Sequence, residues 1–148
     1  MPSAETLFSI ASFVVLPGWG LLVFAPWWRW STGLVPGIVL PALLGVLYAA
    51  LIATNFFGSE GGFGSLADIA RMFDNSYLLL AGWIHYLAFD LFVGAWEVRD
   101  ARRLGINHLL VVPCLLLTFL LGPVGLLAYL GVRVTLRQAY SIEPGGRA

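Results

Sequence analysis

The stretch from Tyr77 to Arg103, YLLLAGWIHYLAFDLFVGAWEVRDARR, constrains this chain most. It has the length and apolarity of a membrane span, yet it carries His85, Asp90 and Glu97 and closes on Arg99, Asp100, Arg102 and Arg103. About 20 apolar residues cross a hydrocarbon core of about 30 Å. An Asp inside that core costs about 2.5–3.5 kcal/mol on an insertion scale, so such groups face a protein interior, a partner or a polar ligand. The stretch therefore predicts a membrane helix whose polar side chains are turned into a bundle, and those side chains are the candidate functional site.

Composition supports the membrane reading. Of 148 residues, 59% are hydrophobic and 11% charged, too few charges for the surface of a soluble domain of this size. The formal net charge is zero and no basic stripe occurs, which excludes an electrostatic case for nucleic acid. The expected fold is an all-α polytopic bundle in one domain over residues 1–138, with a short flexible tail over 139–148. Its spans are about Leu7–Trp28, Leu34–Phe57, Tyr77–Val98 and His108–Arg133. Pro17 with Gly18, Pro36 with Pro41, Pro113 and the Gly122-Pro123 pair interrupt three of them. In lipid such breaks persist where neighbouring helices or water satisfy the freed carbonyls, which argues for tight packing. Trp27, Trp28 and Trp30 around Arg29 read as an interfacial anchor at a turn. In the long polar connection, Ser65 followed by Asp68 reads as a capping box. It opens a short surface helix with Leu66, Ile69, Ala70 and Phe73 on one side, serving as a connector or as a lid over the bundle mouth.

The last segment has two readings. As one kinked crossing it places Arg71, Arg133, Arg137 and Arg147 on one side of the membrane and Arg29, Arg99, Arg102 and Arg103 on the other, a tie by the positive-inside rule. Broken at LLGPVGLL and folded back, it gives seven arginines against one. Each half holds about 15 residues, about 22 Å of helix and too short to cross alone, so the single kinked crossing is the expectation and the re-entrant form the alternative. The opening MPSAET lacks the basic region of a signal peptide, and no Arg- and Ser-rich transit peptide precedes the first span. The chain is therefore expected to enter its membrane as written.

At about 100° per residue, Trp83, Tyr86, Asp90 and Glu97 share one side of the third span, while His85, Phe89, Trp96 and Arg99 lie on another. Asp90 and Glu97 are two turns apart, about 10.5 Å along the axis, which suits flanking an elongated ligand better than sharing a proton. Asp90 needs a partner from another helix, and the polar candidates are Asn55, Tyr48, His108, Thr118 and Tyr129. Glu97, near the membrane edge, is expected to be balanced by Arg99–Arg103 and water. Asp90 and His85 are the candidate catalytic pair; Trp83, Tyr86, Asp90, Glu97, Asn55 and His108 are the candidate ligand-binding set. Their divergent faces separate His85 from Asp90 unless the helix kinks. A metal site drawing on His85, Asp90, Glu97 and His108 lacks any Glu-x-x-His or His-x-x-x-His spacing, and the lone Cys114 allows neither a disulfide nor a cysteine-based zinc site. No metal is expected and no cofactor is required. The bland alternative for the whole ladder is helix–helix hydrogen bonding, at about 0.6 kcal/mol per bond.

The run LAGWIHYLAFDLFVGAWEVRDARRLGINH and the following VPCLLLTFLLGPVGLLAYL resemble the abscisic-acid-deficient-four-like family, most sharply from Gly82 to Tyr129. The matching elements are W-x-H-Y-x-x-x-D, E-x-x-D and L-G-P-x-G-L, in that order. The resemblance implies a small polytopic membrane protein of carotenoid metabolism, whose plant members are implicated in forming neoxanthin from violaxanthin; set beside its plastid-targeted relatives, the missing transit peptide implies a bacterial inner membrane or a related photosynthetic membrane. It implies a carotenoid as ligand or substrate and a redox-neutral opening of a carotenoid epoxide; for that chemistry the residues themselves suggest Asp90 as base and His85, or an Arg-supported water, as acid. The alternative is a non-catalytic carotenoid-binding or assembly subunit of a larger pigment–protein complex, partnered by membrane lipid and by the subunits of that complex. Transport ranks behind both, since no inverted repeat is evident.

Overall fold

The computed structural model describes residues 2–139. Among them every regular element is helical: α1 (Ala4–Phe24), α2 (Arg29–Thr32), a π-helical turn (Val35–Val39) leading into α3 (Leu40–Asn55), α4 (Leu66–Phe73), α5 (Ser76–Leu104), α6 (His108–Leu121) and α7 (Pro123–Arg137). Three stretches, Ala4–Phe24, Val35–Gly58 and Ser76–Leu104, are long and apolar enough to cross a membrane, and the protein is an all-α membrane helix bundle. The tail expected over residues 139–148 lies, from Tyr140 onward, outside the described residues.

Local sequence sets the helix ends. Ser3 caps α1 by accepting the Thr6 amide, and Ala25 closes it immediately before Pro26, which disfavours a helical residue ahead of it. Asn75 caps α5 by accepting the Tyr77 amide at 2.9 Å, and Asn107 does the same for α6 through the Leu109 amide at 3.0 Å. Between them Gly105, at φ 64°, ends α5 in the left-handed conformation that satisfies terminal carbonyls, and Arg102 and Arg103 in the last turn complement the helix dipole. Ser65 accepts the Asp68 amide at 3.1 Å and donates to its carboxylate at 2.7 Å, so α4 opens on the capping pair expected of it.

The 29-residue α5 is the unbroken axis of the bundle, with α1, α3, α6 and α7 packed around it. Its buried side chains, among them Ile84, Leu91, Ala95 and Val98, meet Val15 and Leu22 of α1, Leu44 and Leu51 of α3, and Val111 and Leu115 of α6 in one core. The exposed Trp27, Trp28 and Trp30 gather at the α1–α2 turn, as an interfacial belt requires.

The last segment departs from the single crossing. Gly122 adopts φ 45° and ψ −97°, a conformation closed to side-chain-bearing residues, and Pro123 opens α7 where its missing N–H costs nothing. The chain reverses there. The Tyr86 hydroxyl on α5 donates to the Phe119 carbonyl near the inner end of α6 at 3.3 Å, whereas the Arg137 guanidinium at the far end of α7 donates to the Gly105 carbonyl beyond α5. Thus α6 runs inward from the end where α5 finishes, and α7 returns to that same end. With 14 and 15 residues, each arm is about 21–22 Å long, short of a crossing. Gly125 lets the arms close, since a Cβ there would fall inside the Thr118 backbone. The re-entrant hairpin carries Arg133 and Arg137 to the end that holds Arg99, Arg102 and Arg103.

Candidate functional site

The polar stripe of α5 faces this hairpin along its length. Tyr86, Asp90, Glu97 and Asp100 follow one another at helical spacing, and each meets a different level of α6 or α7. Asp90 lies under the elbow: a Cβ on Gly122 would sit 2.8 Å from its Oδ1, so only glycine admits the carboxylate there. Its Oδ2 is enclosed and has no hydrogen-bond partner. Two turns on, Glu97 is 0% exposed; Oε1 accepts from the Thr118 hydroxyl at 2.9 Å, while Oε2 has no partner. A buried carboxylate oxygen without a donor is costly, so among the described residues these two groups are the unsatisfied polar centres of the interior.

Asp100 is the opposite case. Its Oδ2 accepts from the Tyr129 hydroxyl and from Arg133 Nε, both at 2.7 Å, and its Oδ1 accepts from Arg103 at 2.7 Å. Tyr129 and Arg133 are themselves 0% and 2% exposed. This closed network locks α7 onto α5, and it went unnoticed in the sequence because Asp100 sits within an Arg-rich end that reads as water-facing. Arg99 and Arg102 are tied elsewhere, to the Thr32 and Pro26 carbonyls at 2.9 Å each. The arginines expected to balance Glu97 therefore do not do so; Thr118 does, from α6.

The remaining candidates separate. His85 is on the outer face of α5, stacked on Phe89 with ring centroids 4.4 Å apart and tilted toward Tyr48 at 5.9 Å. No kink in α5 turns it toward Asp90, and the proposed acid–base pair is not assembled. Asn55 returns its amide to the Leu51 carbonyl and the Thr54 hydroxyl of its own helix. His108 reaches the Val23 carbonyl at 3.0 Å, at the arginine-bearing end, far along the axis from Asp90. Trp83 and Tyr86 do keep company with Asp90: Trp83 stacks on Tyr86 at 5.3 Å and donates its indole N–H to Ser12 at 3.1 Å.

Trp83 and Tyr86 also form the shared wall of two grooves. One, of about 630 Å³, runs between α1, α4 and α5 past Phe8, Phe73, Leu79 and Gly82. The other, of about 360 Å³, continues between α1, α5 and α6 past Phe13, Leu16, Phe119 and Leu120. From Ser76 to Leu87 the α5 wall is about 17 Å long, nearly all apolar, and Asp90 lies one turn behind its inner end. Such a trough has the shape and lining for an elongated apolar molecule. Among the described residues no group of three or more His, Cys, Asp or Glu side chains converges on a point where a metal could sit.

The sequence model of the ABA DEFICIENT 4-like family matches residues 6–129, which include the whole stripe, the elbow and Tyr129. The chain belongs to this family. It is similar to Protein ABA DEFICIENT 4, chloroplastic, of Arabidopsis thaliana, 27% identical over 145 residues that take in 93% of this chain and 64% of that protein. The chain thus spans under two thirds of that relative's length. The relative's name places it in the chloroplast, and the bacterial inner membrane expected from the N-terminal reading gains no support from it. No solved structure matches the chain.

Proposed function

We propose that this member of the ABA DEFICIENT 4-like family binds a carotenoid in the apolar trough and opens an epoxide on its end ring without net redox change. The observation that carries this reading is Asp90: a carboxylate with an unpartnered oxygen, one helical turn from the Tyr86 hydroxyl, behind the inner end of a long apolar groove. The family resemblance supplies the class of substrate, and the groove's shape accommodates it.

The chemistry needs one base and one acid held in a dry site. Asp90 takes the proton from the polyene carbon next to the ring. The electron pair released forms a new carbon–carbon double bond, the epoxide C–O bond breaks, and the oxygen takes a proton from Tyr86. Asp90 returns its proton to Tyr86, and the product is an isomer carrying an allene and a hydroxyl. Tyr86 replaces His85 as the acid in this scheme, because it shares the stripe with Asp90 and its bond to the Phe119 carbonyl, at 3.3 Å, is long enough to be given up.

The test is turnover of violaxanthin by the protein reconstituted in lipid. Wild type forms an isomer of unchanged mass, and Asp90→Asn slows it by about a hundredfold or more while pigment stays bound. Undiminished turnover by Asp90→Asn contradicts the assignment. The placement of His85 favours a second reading, in which the chain binds a carotenoid or helps assemble a pigment–protein complex without converting it. That reading predicts bound pigment, or co-purifying subunits, and no isomer.

A further inference from the structure

The groove on the opposite side of α5 is unused by the reading above. It has a volume of about 300 Å³, lies between α3 and α5, and is walled by Pro41, Gly45, Tyr48, His85, Phe89 and Phe92. His85 is nine residues from the start of α5 and nineteen from its end, which places it about 13 Å and about 28 Å from the two ends, within the hydrocarbon layer. No water reaches such a position to satisfy a polar group. Yet the two polar side chains of this groove, the His85 imidazole and the Tyr48 phenol, stand side by side with ring centroids 5.9 Å apart, and neither makes a hydrogen bond to any described residue. An exposed imidazole beside a half-buried phenol at this depth calls for an occupant that brings their partner.

We propose that this groove binds a lipid-soluble quinone, with a ring carbonyl accepting hydrogen bonds from His85 and Tyr48. A carbonyl oxygen has two lone pairs and takes both donors at once. The near-parallel stack of His85 on Phe89, 4.4 Å apart and 25° from coplanar, presents flat π faces that a planar quinone ring extends. A saturated hydroxylated ring offers no such face. Gly45 and Ala88 leave the ring room beside the helices, and the isoprenoid tail follows the apolar wall into lipid. The site is independent of Asp90, which lies on the other side of α5.

The experiment is a titration of the full chain in lipid nanodiscs with decylubiquinone, reading bound quinone by absorbance after removal of free ligand. Wild type binds it saturably, Tyr48→Phe and His85→Phe each weaken binding by about tenfold, and Asp90→Asn leaves it unchanged. Neither aromatic substitution removes a hydrogen bond that the fold uses, and unaltered melting of the variants confirms that the loss is local. Equal binding by wild type and both variants overturns the proposal. Displacement of the quinone by excess hydroxylated carotenoid, with that pigment bound more tightly and with the same dependence on His85, gives the site to a hydroxyl-bearing ligand instead. A wild-type dimer that His85→Phe converts to monomer, with no quinone bound, gives the groove to a second copy of the chain.

Discussion

Arg133 Nε donates to Asp100 Oδ2 across 2.7 Å, joining residues 33 positions apart, and Tyr129 donates to the same oxygen at the same distance. This pairing tells the returning arm of the hairpin where to lie. All three side chains are at least 95% buried, so the charges are compensated by each other rather than by water. Removing the buried cation costs up to about 3–5 kcal/mol, because Asp100 then keeps only the Tyr129 hydroxyl and the partly exposed Arg103. Arg133→Met therefore lowers the melting temperature sharply in detergent, and adding Asp100→Asn to it recovers much of the loss. A double variant as unstable as the sum of its parts contradicts the pairing.

Glu97 responds differently. It is held by a single neutral hydroxyl and faces no cation, so Glu97→Gln keeps the Thr118 bond and discards the burden of a buried ionisable group. The expected melting temperature is unchanged or higher. Thr118→Val, which leaves the carboxylate without its donor, costs about 1–3 kcal/mol. A clear loss of stability in Glu97→Gln points to a salt bridge that the fold does not contain.

The elbow is predicted to tolerate no side chain on its inner contact. A methyl group at Gly125 enters the Thr118 backbone, and relief requires the two arms to separate. Gly125→Ala is expected to cost about 3 kcal/mol or more and to open the hairpin to proteolysis, whereas Gly131→Ala, whose Cβ meets nothing, has no such effect. Equal protease resistance of the two variants contradicts the folded-back arrangement.

Orientation follows from the hairpin. With α7 returning, Arg99, Arg102, Arg103, Arg133 and Arg137 share one end, while Glu5, Glu60, Asp68 and Asp74 sit at the other with Arg71. The positive-inside rule then turns the arginine-bearing end toward the cytoplasm or its equivalent compartment. In a Cys114→Ser background, a single cysteine at Gly105 is shielded from an impermeant thiol reagent added outside, and one at Glu60 is labelled. The reverse pattern contradicts this orientation.

Much of this was legible in the sequence because it depends on near neighbours. The α5 stripe follows from helical periodicity, its ends from Asn75 and Gly105, the start of α4 from Ser65 and Asp68, and the divergence of His85 from Asp90 from residue spacing alone. What was not legible depends on contacts distant in the chain. A Gly-Pro pair serves equally for a kink and for a reversal, and the choice at Gly122-Pro123 is made by Gly125 against Thr118 and by Asp100 against Arg133. The arginine count pointed to the reversal, but the length of the segment argued more strongly for a crossing. Glu97 was misassigned for a related reason: its neighbours in sequence are arginines, whereas its neighbour in space is Thr118. The quality that marks Asp90, an oxygen with no donor, is a property of the packed interior and has no sequence signature.

The carotenoid site proposed above is the trough beside Trp83 and Tyr86. Gly82 lines it, and a Cβ there already comes within 3.3 Å of Phe73, so Gly82→Leu fills the mouth while Gly45→Leu fills the groove on the opposite side of α5. The decisive measurement is the amount of violaxanthin retained per chain after reconstitution and washing, in wild type and both variants. The account predicts near-stoichiometric pigment on wild type and Gly45→Leu, and a loss of about tenfold or more on Gly82→Leu. Pigment held equally by Gly82→Leu and wild type contradicts it.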